Sequence, residues 1–96
     1  MTNAREEFLE HIGNREVEFV SIAVRRGYRD APVQIKGTLA DVLPLLDFEY
    51  SSGYGGQELY GYIWYKDGTW SDRGEYDGSE WWQHQRRPDT AAKIVV

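Results

Sequence analysis

Two hydrophobic periods alternate along the chain. Residues 3–12 carry Phe8, Leu9 and Ile12 on one stripe at helical spacing, with Asn3 in a capping position and Glu6 three residues on. Gly13-Asn14 then stops the predicted helix, since both residues tolerate the left-handed cap conformation. From Arg15 to Arg26 the period drops to two. Val20, Ile22 and Val24 share one face, and Val17, Phe19, Ser21 and Ala23 alternate with them. That pattern predicts an interior strand covered on much of both faces. Residues 27–32 read as a loop, and Val33 and Ile35 around Gln34 predict a second, half-exposed strand ending at Gly37. Thr38 with Asp41 three residues on opens a second helix, in which Leu39, Val42, Leu43 and Leu46 recur at helical spacing. Pro44 sits inside that pattern and should shorten or kink it.

Phe48-Glu49-Tyr50 predicts a short extended segment, and Ser51-Ser52-Gly53-Tyr54-Gly55-Gly56 a glycine-rich loop. The last third is a β-meander. Strand-like runs at 57–66, 69–76 and 79–85 are separated by Asp67-Gly68 and Asp77-Gly78, two hairpin signals ten residues apart. In the first run Leu59, Gly61, Ile63 and Tyr65 point one way, and Tyr60, Tyr62 and Trp64 the other. The order α-β-β-α-β-β-β predicts an α+β fold: two short helices on one face of a mainly antiparallel sheet of about five strands. Residues 1–88 form the single predicted domain, and 89–96 a tail that is either frayed or an edge segment.

Length and composition narrow the class. Ninety-six residues suffice for one small core. There is no cysteine, which excludes disulfides and thiolate metal sites. No apolar run approaches the roughly 18 residues of a membrane span, and Met1 to Glu7 lacks the apolar stretch of a signal peptide, so a cytoplasmic location is expected. The net charge of −5 hides an uneven distribution: residues 41–82 carry nine acids against Lys66 and Arg73. Eleven of the fourteen aromatics fall between Phe48 and Trp82, so acid and aromatic surface share one segment. A negative field selects basic partners and repels phosphates.

Few catalytic constellations survive inspection. His11 and His84 are the two imidazoles, and Ser51, Ser52, Ser71 and Ser79 sit in no nucleophile-elbow pattern. Asp72 with Glu75, or Asp77 with Glu80, imitate paired carboxylates, but a domain this small offers little cleft to raise one pKa. Asp67, Asp72, Glu75 and Asp77 are calcium-type ligands without calcium-loop spacing, and turn geometry already accounts for an aspartate before each glycine. The glycine-rich loop lacks the Lys-Ser/Thr of a phosphate cradle. No cofactor and no metal is expected. Direct nucleic-acid binding is disfavoured by the acidic meander, leaving only Arg25/Arg26/Arg29 and Arg86/Arg87 as basic clusters. Trp64, Trp70, Trp81 and Trp82 are a possible sugar-stacking set, although a small core without disulfides also needs large aromatics. Trp81 and Trp82, adjacent on a strand, must point to opposite faces.

The segments Leu46 to Tyr50, Gly53 to Gly61, Ile63 to Trp70 and Arg73 to Trp82 resemble a group of small proteins encoded by bacteriophages, prophages and other mobile elements. Glu75-Tyr76-Asp77-Gly78-Ser79-Glu80-Trp81-Trp82 carries the most specific part of that likeness. The resemblance implies a genomic setting and, by analogy of size and charge, an anti-CRISPR-like role in blocking host defence. The favoured reading is a non-enzymatic protein that occludes a basic, nucleic-acid-binding surface of a host protein. Asp67, Asp72, Glu75, Asp77 and Glu80 supply its charge, and Tyr54, Tyr60, Trp70, Tyr76 and either Trp81 or Trp82 its anchors. The alternative is a carbohydrate or small-ligand module using the same aromatics. An exposed edge strand would also allow a homodimer.

Overall fold

The computed structural model describes residues 1–25, 31–51, 53 and 56–88. Its elements are β1 (Thr2–Asn3), α1 (Ala4–Ile12), β2 (Val17–Val24), β3 (Val33–Gly37), α2 (Leu39–Val42), a 3₁₀ turn (Leu43–Leu46), β4 (Glu49–Tyr50), β5 (Leu59–Tyr65), β6 (Trp70–Tyr76) and β7 (Ser79–Gln85). The fold is α+β. A five-stranded antiparallel sheet in the order β3-β2-β5-β6-β7 is joined by a two-stranded one, β1-β4. The tail expected at 89–96 lies outside the described residues. No helix among the described residues is long and apolar enough to cross a membrane.

Local chemistry sets the element ends. The Asn3 side chain accepts the Glu6 N–H at 3.0 Å, and α1 closes where the Gly13 N–H reaches the Leu9 carbonyl. Thr38 and Asp41 form the expected reciprocal capping box. The α-helical turn ends at Val42, and the chain tightens into a 3₁₀ turn with Pro44 near its start. Proline cannot donate to the preceding turn, which is why the Leu39–Leu46 pattern divides there.

The two Asp-Gly turns differ. Asp77 (φ 51°) and Gly78 (φ 86°) are both left-handed, the two-residue geometry that matches strand twist. At the other hairpin Gly68 donates to Tyr65 and Tyr65 to Thr69, while the Asp67 carboxylate accepts the Thr69 N–H at 2.9 Å. Only Gly68 is left-handed in that longer loop.

Both helical segments lie on one side of the sheet. Ala4, Phe8 and Ile12 of α1, with Val42 and Leu46, pack on Val20, Ile22, Val24, Ile35, Leu59, Ile63, Tyr65 and Trp82. Each large apolar side chain fully withdrawn from water there contributes roughly 1.5–3 kcal/mol. Strand β2 is interior, between β3 and β5, and its two faces are covered to different degrees, Val17, Ser21 and Ala23 being half-buried. Val20, Ile22 and Val24 are buried, whereas Phe19 on the opposite face is 39 % exposed. The reason is topological: the crossover from β3 to β5 carries α2 over the same face that α1 occupies, and among the described residues no element covers the other.

Candidate binding face of the sheet

The register fixes which side chains share the uncovered face. Phe19 stands opposite Trp64, Trp64 opposite Trp70, and Trp70 opposite Gln85. The next row runs Lys36, Ser21, Tyr62, Asp72, Gln83. Tyr60 lies opposite Ala23, and Trp81 opposite Gly74. Phe19, Tyr60, Tyr62, Trp64 and Trp81 are each 39–48 % exposed, and Tyr76 at the hairpin end is 76 % exposed. With about 150–250 Å² per aromatic side chain, these six expose several hundred Å² of ring surface on one side of the sheet. That is on the order of the largest apolar patch of an ordinary monomer, which is often a functional surface.

The rings are ordered by one another. Tyr62 and Trp64 lie 5.6 Å apart with planes 10° from parallel, and Trp64 meets Trp70 at 6.4 Å and 39°. Parallel rings this close are offset-stacked, so each uses part of one face on its neighbour. The Trp81 indole lies across Gly74, its Nε1 2.6 Å from where a Cβ would stand. Gly74 therefore makes room for the indole to lie flat on the sheet. Asp72 sits among these rings and accepts from the Gln83 amide at 2.8 Å. Asp67, Glu75 and Asp77 are exposed at the ends of the meander.

On the covered face, polar groups converge where the sequence pattern gave no warning. Arg73, with a side chain only 2 % exposed, pairs with Glu80 at 2.6 Å and Glu7 at 3.3 Å and donates to the Tyr50 hydroxyl at 2.9 Å. Its guanidinium carbon lies 5.0 Å from the Trp82 ring centre. The Tyr50 hydroxyl donates to Glu7. Burial, and then that bond, push the phenol above its ordinary range, so it stays neutral. Glu80 also accepts the N–H groups of Glu58 and Leu59 at 2.8 and 3.0 Å. Nearby, His11 Nε2 lies 2.7 Å from Ser71 Oγ, which also contacts the Tyr65 hydroxyl at 2.8 Å; Ser71 is fully buried.

The residues expected to form a partner site thus separate. Tyr60, Trp70, Asp72, Tyr76 and Trp81 lie together on the open face, with Asp67 and Asp77 in the turns at its ends; Glu75, expected there, stands opposite Glu80 and is exposed on the helix side instead. Glu80 does not belong to it, and its expected place there is corrected; of the tryptophan pair, Trp81 is the exposed member and Trp82 the interior one. Glu80 and Trp82 are buried, 4 % and 7 % exposed, because alternation along β7 turns them toward α1. Tyr54 lies outside the described residues. Phe19, Tyr62 and Trp64 complete the face and were not among the expected anchors. The alternation of Tyr60, Tyr62 and Trp64 was the signal that groups them. Among the described residues no group of three His, Asp or Glu is placed to hold a metal ion. No family model matches this sequence, and no curated protein or solved structure shows significant similarity to it.

Proposed function

We propose that this chain is a non-enzymatic binding protein whose open sheet face docks on a basic surface of a partner protein. The observation that carries the reading is the uncovered aromatic face itself, Phe19, Tyr60, Tyr62, Trp64, Trp70 and Trp81, with Asp72 at its centre. Exposed Trp and Tyr held by their neighbours lose little conformational freedom on binding and are favoured as interface anchors. Carboxylates at the face and its ends, Asp72, Asp67 and Asp77, bias the partner toward Arg and Lys. The buried Arg73–Glu80 pair cancels internally and leaves Lys66 as the exposed base of the meander.

The likeness of the meander to mobile-element proteins makes a nucleic-acid-binding surface of a host defence complex the favoured target, blocked in the bacterial cytoplasm by occupation. The sugar-binding alternative is weakened by the Tyr62–Trp64 stack, since ring faces spent on each other are withdrawn from a pyranose. The buried setting of Ser71 likewise withholds the His11–Ser71 pair from a substrate.

Affinity capture from a bacterial host lysate, read by mass spectrometry, tests the proposal. We expect a basic protein that is released as salt rises from about 0.1 to 0.5 M, because exposed charge pairs are screened over that range. The double variant Tyr62→Ser/Trp64→Ser should weaken capture by roughly 30-fold or more, the scale of an interface anchor. Saturable quenching of tryptophan fluorescence by a sugar or nucleotide, with capture unaffected by the double variant, would establish the alternative instead.

A further inference from the structure

The two edges of the sheet are not equivalent. At one end β3 is short, follows Pro32 and carries Lys36, devices that discourage edge pairing. At the other end β7 runs seven residues with neither lysine nor proline, and its single carboxylate, Glu80, is buried against Arg73. Among the described residues only Gly53 pairs with the outer side of β7, and it does so at Ser79. From Trp81 to Gln85 no described residue pairs with that edge.

Turn geometry says which backbone groups that edge offers. In a two-residue hairpin the flanking pair, here Tyr76 and Ser79, exchanges both hydrogen bonds, and bonded and non-bonded pairs then alternate along the ladder. Glu80, Trp82 and His84 therefore direct their N–H and C=O groups away from β6. Trp82 and His84 lie within that stretch. The helix side is clear as well: an open groove of about 500 Å³, lined by Glu7, Glu10, His11, Arg15, Trp81 and Trp82, separates α1 from the edge.

Charge along β7 is arranged by direction. Glu75 and Asp77 precede the strand, Arg86 and Arg87 follow it, and all four are exposed. Antiparallel self-pairing sets each acidic end against a basic one, whereas parallel pairing would set like against like. We infer that β7 is a self-association edge, on which a second copy of this chain pairs antiparallel about a two-fold axis at Gln83. In that register Trp82 faces His84 of the second copy and the reverse, giving two outward-pointing pairs and four backbone hydrogen bonds. Arg86 then lies opposite Glu80, near the Asp77 turn, and Arg87 lies past the end of the ladder. The ladder ends where Gly53 occupies Ser79. The open aromatic faces of the two copies become one continuous surface, so this inference goes beyond the binding proposal and does not depend on it.

The absence of native cysteine makes the test direct. At the axis the two Gln83 residues form a non-bonded pair with Cα atoms about 4.5 Å apart, within disulfide reach. Under mild oxidation Gln83→Cys should cross-link quantitatively into a dimer, while Gln34→Cys on the opposite edge and Gln85→Cys, four residues from its own copy's counterpart, should not. Sedimentation of the unsubstituted chain should show twice the 11.2 kDa mass as concentration rises. Gln83→Lys keeps a donor for Asp72 but sets like charges across the axis, and should weaken association roughly tenfold or more. A chain that stays monomeric at all concentrations, or cross-linking at Gln83→Cys no faster than at Gln34→Cys, overturns the inference. Neither result bears on partner capture by the aromatic face.

Discussion

Arg73 brings a full positive charge into the interior, and its two terminal nitrogens are met by the Glu80 and Glu7 carboxylates and the Tyr50 hydroxyl, with the Trp82 ring against the guanidinium. The buried Nε has no hydrogen-bond partner among the described residues. Arg73→Met would keep much of the volume but leave Glu80 as a buried charge held only by two backbone N–H groups. We expect a loss of about 3–5 kcal/mol in urea unfolding. A second residue-level consequence concerns pH. Burial first, then Arg15, His84 and Arg73, holds His11 below its ordinary 6.5, and burial does the same to His84. The unfolded chain binds protons near pH 6.5 that the folded chain refuses, so stability is complete above that pH. It falls as pH drops through about 6.5 and levels off below the folded values. His11→Gln should flatten the slope of unfolding free energy between roughly pH 7.5 and 5; an unchanged slope would assign it elsewhere. Asp41 and Asp67, lowered by their bonds to Thr38 and Thr69, act in a separate window, losing their contribution only below about pH 4.

Among the elements, β5 makes the closest approach to a neighbour. Gly61 has φ +149°, and a Cβ there would stand 2.2 Å from the Ser21 carbonyl oxygen and 2.8 Å from Ile22 Cα. Those atoms belong to the paired backbone of β2, which cannot yield without breaking the ladder. Gly61→Ala should therefore cost roughly 2–4 kcal/mol by strain and overpacking, measured as a shift in the denaturation midpoint. Other elements were readable from short-range chemistry alone. Asn3, Thr38 with Asp41, and the two Asp-Gly pairs marked helix starts and hairpins, since capping and turn geometry need only residues three or four positions apart. The two-residue strands β1 and β4 were harder. Phe48-Glu49-Tyr50 suggested an extended segment, but its pairing with Thr2 and Asn3 brings together residues nearly fifty positions apart, and no local period announces that.

At the scale of the molecule the two layers are unequal: helices cover one face of the sheet, and no described element covers the other. The proposed binding variant Tyr62→Ser/Trp64→Ser acts on the uncovered layer. It should keep the far-UV spectrum and a cooperative unfolding transition while losing capture. A collapse of cooperativity would show instead that the aromatic face is needed for folding. The candidate site was legible in part for the same reason. Alternation grouped Tyr60 with Trp64 and separated Trp81 from Trp82, but it assigned neither group to solvent. In β6 the more aromatic side, Trp70 and Tyr76, is the uncovered one, and the polar side, Ser71 and Arg73, is buried. Hydrophobicity alone would choose the opposite orientation. It is reversed because Ser71 and Arg73 find partners on α1, β4 and β7 that no local window contains.

The sequence by itself determined the α+β class, the meander, the helix caps and the two-face sorting within each strand, because those follow from backbone geometry and side-chain period over a few residues. Only the tertiary structure decided which face the helices cover, that Glu80 and Trp82 belong to the interior, and that β7 is the outermost described strand of the sheet. Those outcomes depend on the crossover from β3 to β5 and on pairings such as Arg73 with Glu7, sixty-six positions apart. Burial and charge compensation are properties of what meets in space, and the local pattern does not contain them.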